Sequence, residues 1–232
     1  MNSNSKITII CSNYNSAKWI DEYLEYLKNQ IDKNFEIVFI DANSTDESLN
    51  KIKIFASNTE IKTSIIECDK RIGIYEAWNL GIKLCNTDYV MNYNTDDMLH
   101  KYAISVYNYY IKNYPSIDLF YGPCPYVKNR NICDISQYFN WPEYSHETML
   151  QYCFCGPFPL VKKEVFEKIG YFDETFISSG DYEMWLRMSK HNSKFMKIPE
   201  IIGSYYHRND SISCLNPEKT RQEDNFLRNK HR

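Results

Sequence analysis

Two adjacent carboxylates, Asp96 and Asp97, end a short apolar run that begins at Tyr89, with Asn94 and Thr95 just ahead of them. Strand interiors avoid Asp, and neighbouring carboxylates repel unless a cation or hydrogen-bond donors neutralise them. Where a buried strand leaves its sheet, such a pair is placed to hold a divalent metal. The same residues equally suit a polar turn in which Asp96 or Asp97 caps the next helix. Cys153 and Cys155 make the one suggestive thiol spacing. A zinc site needs four ligands, and neither a second pair nor a nearby His accompanies them.

The acidic pair must be carried by the elements around it, and the first hundred residues alternate strand with helix. Residues 7–11 read as a buried strand and 12–16 as a polar turn. Residues 17–27 read as a helix with Trp19, Ile20, Tyr23, Leu24 and Leu27 on one face. Residues 35–40 and 62–67 are further strands, and between them Ser44 and Glu47 fit a capping box that opens a helix. Residues 74–84 are helical, with Ile74, Ala77, Trp78, Gly81 and Ile82 along one face; residues 89–93 form a fourth strand. This alternation implies parallel pairing with right-handed crossovers. Ligands bind beyond the carboxyl ends of such strands, so the loops 12–16, 41–46, 69–73 and 94–97 should converge on one edge.

After Asp97 the pattern loosens. A helix is expected over 102–110 and a strand over 117–121, then an irregular stretch over 122–159 rich in Pro, Asn, Tyr and Cys. A helix over 162–169 is closed by Gly170. Residues 181–190 form a helix with Met184, Trp185 and Met188 inward, and 195–198 a strand. Residues 219–232 read as a solvated terminal helix or frayed tail, in preference to a contact with a membrane surface.

The 232 residues suffice for one large domain or two small ones. A net charge of -3 argues against a partner gripped by phosphate neutralisation, so no nucleic acid is expected. No apolar run approaches the ~20 residues of a membrane span, although peripheral membrane contact stays open. Residues 1–6 lack the apolar stretch of a signal peptide, so a cytoplasmic location is expected, with the eight cysteines as buried thiols.

Taken in order, several segments resemble glycosyltransferase family 2, whose members use nucleotide sugars. They are Ile9-Ile10-Cys11-Ser12-Asn13-Tyr14-Asn15, Asp41-Ala42-Asn43-Ser44-Thr45-Asp46, Gly73-Ile74-Tyr75-Glu76-Ala77-Trp78-Asn79-Leu80-Gly81-Ile82 and Asn94-Thr95-Asp96-Asp97. Later come Gly170-Tyr171-Phe172-Asp173-Glu174, Gly180-Asp181-Tyr182-Glu183-Met184-Trp185-Leu186-Arg187 and Tyr206-His207-Arg208-Asn209-Asp210-Ser211-Ile212-Ser213. Each is weak alone; their joint order over residues 6–213 is specific. The resemblance implies an α/β chain of GT-A (Rossmann-like) fold, a mostly parallel mixed sheet flanked by helices in a single domain over 1–232. Residues 1–100 would form the nucleotide-sugar half, 101–215 the acceptor-facing half and 216–232 a polar tail.

The resemblance also implies the chemistry: inverting transfer of a sugar, hexosyltransferase-like, from a nucleotide-diphosphate sugar to the hydroxyl of a glycan or other acceptor, as in polysaccharide synthesis. Mn²⁺ or Mg²⁺ would bridge protein carboxylates and the diphosphate. It would be held by Asp97 or Asp96, with the other on the ribose, and completed by His207. Asn94 departs from the family's first acid, yet an amide can still meet a ribose or a metal-bound water. Asp181 is the candidate base, its ordinary role at a helix start being capping; Glu183 is the alternative. Gly180 stands where the family often has Glu. Ser12, Tyr14 and Asp41 would hold the base and ribose. Ala42 replaces a second acid common in relatives that read uracil, which puts a UDP-sugar in doubt. Arg71 either meets the diphosphate or is a solvated surface residue. The stretch 153–159 is expected near the acceptor, with Trp141 and Trp185 as core or as sugar platforms. A competing reading is a non-catalytic sugar-nucleotide or glycan-binding module, favoured by Asn94 and Gly180. A sugar-1-phosphate nucleotidyltransferase would need a glycine-rich loop after the first strand, and residues 12–16 contain no Gly.

Overall fold

The computed structural model describes residues 6–128, 130 and 134–232. Residues 1–5, read above as lacking the apolar stretch of a signal peptide, and the side chains of Ile212 and Ser213 lie outside the described residues. The chain opens as β1 (Ile7–Asn13), α1 (Ile20–Lys28), β2 (Phe35–Asp41), α2 (Ser48–Asn58), β3 (Lys62–Glu67), α3 (Ile74–Leu84) and β4 (Tyr89–Asn92). It continues as β5 (Met98–Leu99), α4 (Ala103–Asn113), β6 (Leu119–Tyr121), β7 (Cys124–Val127), β8 (Ile135–Phe139), α5 (His146–Met149) and β9 (Leu160–Lys162). Last come α6 (Lys163–Ile169), α7 (Gly180–Lys190), β10 (Phe195–Lys197), β11 (Gly203–Tyr206), α8 (Ile212–Leu215) and α9 (Pro217–His231).

The large sheet runs β10-β6-β9-β4-β1-β2-β3. β1 pairs in parallel with both β2 and β4, Ile7 lying opposite Phe35 and Tyr89, while β9 enters antiparallel between β4 and β6. The sheet is therefore mixed but mostly parallel. Side chains alternate across a strand, and β1 shows it: Ile7, Ile9 and Cys11 pack with Tyr23, Leu27 and Ile104 on one face, Ile10 with Trp78, Ile82 and Trp185 on the other. Burial on both faces is what the unbroken apolar strands required.

A second sheet, β5-β11-β7-β8, falls in the stretch that looked irregular. Its strands are two to five residues long, and β11 pairs with β5 and β7 from far along the chain, so they leave no local period. Two further expectations are corrected. The capping box at Ser44 and Glu47 does not form. Instead Asp46 accepts the amide of Ser48 at 3.0 Å, and Ser44 Oγ accepts from the Asn13 side chain and the Asn15 amide. The C-terminal segment is a helix but not solvated all round: α9 starts at Pro217, whose missing N–H suits a first turn, and docks one face on α7 with Leu227 fully buried while most of its residues stay exposed.

Candidate functional site

The carboxyl ends of β1, β2 and β4 open on one cleft of about 670 Å³. Its walls include Ser12 and Tyr14, Ala42, Arg71 and Gly73, and Asn94, Thr95 and Asp96, one set from each of the four loops. Later segments add Ile177, Ser178, Asp181, Tyr205, Arg208 and Ser211. The Arg71 guanidinium lies over the Tyr14 ring, 4.3 Å from its centre, so both belong to one wall.

Asp41 sits behind that wall. It is 1 % exposed; Oδ1 accepts from Asn13 Nδ2 at 2.6 Å and Oδ2 from the Ser44 amide at 2.9 Å. Asn15 and Asn43 take left-handed backbone conformations (φ 47° and 62°), which Asn tolerates better than most residues. Asn15 Oδ1 then accepts the Thr45 amide at 2.8 Å, lacing the two loops together. Asp41 therefore shapes the first two loops from within, and Ala42 takes the position facing the cleft.

Asp96 and Asp97 point to different places. Asp96 faces the cleft with its carboxylate 2.7 Å from Arg208 Nε. Asp97 is fully buried; Oδ1 accepts the Tyr206 amide at 3.1 Å and Oδ2 has no hydrogen-bond partner. Burial, then the Asp96 charge, push its carboxyl well above the usual range, against the pull of Arg130 and Arg208. His207 is exposed. Its amide donates to the Val127 carbonyl and its ring lies beside Tyr126, 6.4 Å between centres, away from the cleft lining.

Among the described residues no three His, Cys, Asp or Glu side chains come together in one cluster. The expected ligands diverge: Asp97 inward, His207 outward, and Asp96 onto an arginine. These residues do not fit Mn²⁺ or Mg²⁺ in the expected three-ligand arrangement. The described cysteines are free thiols, and burial raises those of Cys153 and Cys155 well above the ordinary value.

Asp181 opens α7 and lines the cleft, its carboxyl pushed up to about 6 by burial. Oδ1 accepts the next amide, Tyr182, at 2.8 Å. The turn before it is held from three sides. The Tyr75 hydroxyl accepts the Gly180 amide at 2.9 Å, while Glu223 of α9 accepts those of Ile177, Ser178 and Ser179, each at 3.0 Å. Asp224 takes the Ser179 hydroxyl at 2.7 Å. A side chain at Gly180 would begin 2.7 Å from the Tyr75 ring, so the glycine follows from the Tyr75 contact. Glu183 is 3 % exposed and bound to Arg187 at 2.7 Å, off the cleft, so it is not placed to act as a base there. Beside Asp181 a smaller pocket of about 230 Å³ is bounded by Asn94, Tyr126, Trp141, Cys153, Gly156 and Trp185. Trp141 and Trp185 are thus both core residues and parts of a pocket wall. The sequence reading missed Arg130, Arg208, Tyr75 and Glu223. Arg208 stood beside the His that drew attention, and Glu223 looked like any solvated charge.

The description "Glycosyl transferase family 2" belongs to the family model that matches residues 8–170. A chondroitin synthase of Escherichia coli is 28 % identical over 188 residues, which cover 79 % of this chain and 26 % of that protein. S. aureus TarS 1–349 in complex with UDP superposes with a TM-score of 0.77 at 19 % identity, covering 97 % of this chain and 65 % of that one. The mannosyltransferase PcManGT from Pyrobaculum calidifontis, in complex with GDP-Man and Mn²⁺, gives a TM-score of 0.71 at 17 % identity, covering 91 % of this chain and 59 % of that one. The chain thus spans about a quarter of the chondroitin synthase and just under two thirds of the TarS chain. At these identities the structural likeness concerns the fold.

Proposed function

The chain belongs to glycosyltransferase family 2, and from that premise we propose that it transfers a sugar, with inversion, from a nucleotide-diphosphate sugar to an acceptor hydroxyl in glycan or polysaccharide synthesis. The observation that carries the reading is Asp181: a carboxyl raised to about 6, on the wall of a cleft that also presents Ser12, Tyr14, Arg71 and Asp96. An acid tuned to that value is ionised at neutral pH and still basic enough to take a proton in a transition state.

In this reading the base and ribose of the donor lie along Ser12 and Tyr14, with Asn94 reaching the ribose and Arg71 the diphosphate. The acceptor occupies the side of Asp181 that faces Trp141, Cys153 and Trp185. Asp181 takes the proton of the acceptor hydroxyl while its oxygen bonds to the anomeric carbon. The glycosidic C–O bond breaks on the opposite face, and its electron pair leaves with the nucleoside diphosphate. One in-line displacement inverts the anomeric centre.

A second reading, a non-catalytic sugar-nucleotide-binding module, has Asn94 in its favour. Its other support, Gly180, is accounted for by the Tyr75 contact. Asp181→Asn separates the two. Transfer and donor hydrolysis should fall by roughly 10²–10⁴-fold, the usual worth of a general base, while nucleotide binding is retained. Turnover in the variant close to that of the unaltered protein removes Asp181 from the chemistry.

A further inference from the structure

Two adjacent carboxylates at the end of β4 need a counter-charge, and the fold supplies it from two arginines far away in sequence. Arg208 follows β11 and brings Nε to 2.7 Å from the Asp96 carboxylate, inside the cleft. Arg130 lies behind. Its Nη1 donates to the Asp96 carbonyl, its Nε pairs with Glu22 at 2.7 Å, and its side chain is only 10 % exposed. Both guanidinium groups lie over the Trp19 ring, at 5.0 Å for Arg130 and 5.9 Å for Arg208, so one aromatic platform orients the pair. Two acids and two guanidinium groups thus form one cluster.

We infer that Arg208, with Arg130 behind it, is the cation of the diphosphate site, standing where a divalent ion was expected. This rests on reading the cleft as a nucleotide-sugar site. Asp96 is the one acid of the pair that faces the cleft, and its carboxylate is already committed to Arg208. A divalent ion bound to that carboxylate would sit against the guanidinium and be repelled by it. The contact is an ion pair, with no hydrogen bond from Nε, so the N–H donors of the guanidinium remain available to a second oxyanion. Asp96 then serves to hold and orient Arg208 instead of ligating a metal. Arg71, which also lines the cleft and lies over Tyr14, supplies the second positive group. As the glycosidic bond breaks, the electron pair passes to the departing phosphate oxygen, and Arg208 and Arg71 meet the negative charge that grows there. Neutral Asn94, where the family often has an acid, fits such a site, because no carboxylate is needed at that position to charge-balance a metal.

Isothermal titration of UDP, GDP, CDP and dTDP, and of the matching nucleosides, tests this in excess chelator and in excess Mn²⁺. The diphosphate that binds should bind with affinities within about twofold under the two conditions. Arg208→Gln should weaken that diphosphate by about tenfold or more, the scale of lost charge-assisted hydrogen bonds, and leave the nucleoside unchanged. Arg208→Lys, which keeps the charge without the guanidinium, should fall between, and serves as the test variant if the Gln form does not fold. Binding that appears only with Mn²⁺, or an Arg208 variant that binds the diphosphate normally, overturns the inference and leaves the wider function standing. No binding of any of the four under either condition overturns both.

Discussion

Asp181 is caught between two requirements, a buried setting and a charge. Its folded value of about 6 lies above the ordinary carboxyl value of 3.8, so the folded protein holds this proton more tightly than the unfolded chain does. As a base it works only when ionised, so kcat/KM should rise with pH through about 6 and level off above, which a pH–rate profile would measure. The same shift works against folding: the stability that protonation contributes below pH 3.8 is lost as the pH rises through about 6. Asp181→Asn should therefore melt higher than the unaltered protein at pH 7.5 while turning over poorly. The residue types at the site were legible in the sequence, but their directions were not. Asp96 and Asp97 are neighbours in one turn, yet one faces the cleft and the other the core. Asp41, read as a nucleotide contact, spends one oxygen on Asn13 at the end of β1 and the other on its own loop. Such outcomes depend on which side of a turn the rest of the fold covers, and a residue's type does not report that.

At the scale of elements, the helix that begins with Asp181 depends on another that the sequence left as a tail. Glu223 of α9 is 6 % exposed and takes three successive amides of the turn leading into α7. These donors lie ahead of the first turn of α7, so Glu223 fixes the approach to the helix and does not cap it. Glu223→Ala would strand those donors at a cost of about 1–3 kcal/mol and loosen the turn that aims Asp181. The melting temperature should drop, and kcat should fall more than nucleotide affinity, because Ser12, Tyr14 and Arg71 lie on other elements. Equal losses in both would mean that α9 supports the fold and not the turn. Elements with a strong local period, such as α3, appear with the bounds the apolar spacing implied. α9 was harder to read because a buried glutamate, not an apolar stripe, makes much of its contact. In the second sheet, β5 and β7 depend on β11, a partner distant in the chain.

For the whole molecule, alternating strands and helices bring four loops to one edge of a sheet, and the later half closes the cleft with Asp181 and Arg208. The convergence of the loops was legible because parallel strands place their carboxyl ends together whatever the loops contain. The charge arrangement was not, since Arg130 and Arg208 reach the acidic pair only through the folded second sheet. Among the described residues no helix is long and apolar enough to cross a membrane. The account as a whole is one of single in-line displacement at the Asp181 wall of this cleft. The most direct measurement is proton NMR of the first-formed sugar when an α-linked nucleotide sugar, carrying the base that binds, is turned over with an acceptor or water. The account predicts a β-configured product at early times, before free sugar equilibrates. An α-configured first product would mean retention, and with it a mechanism in which Asp181 is not the base of a single displacement.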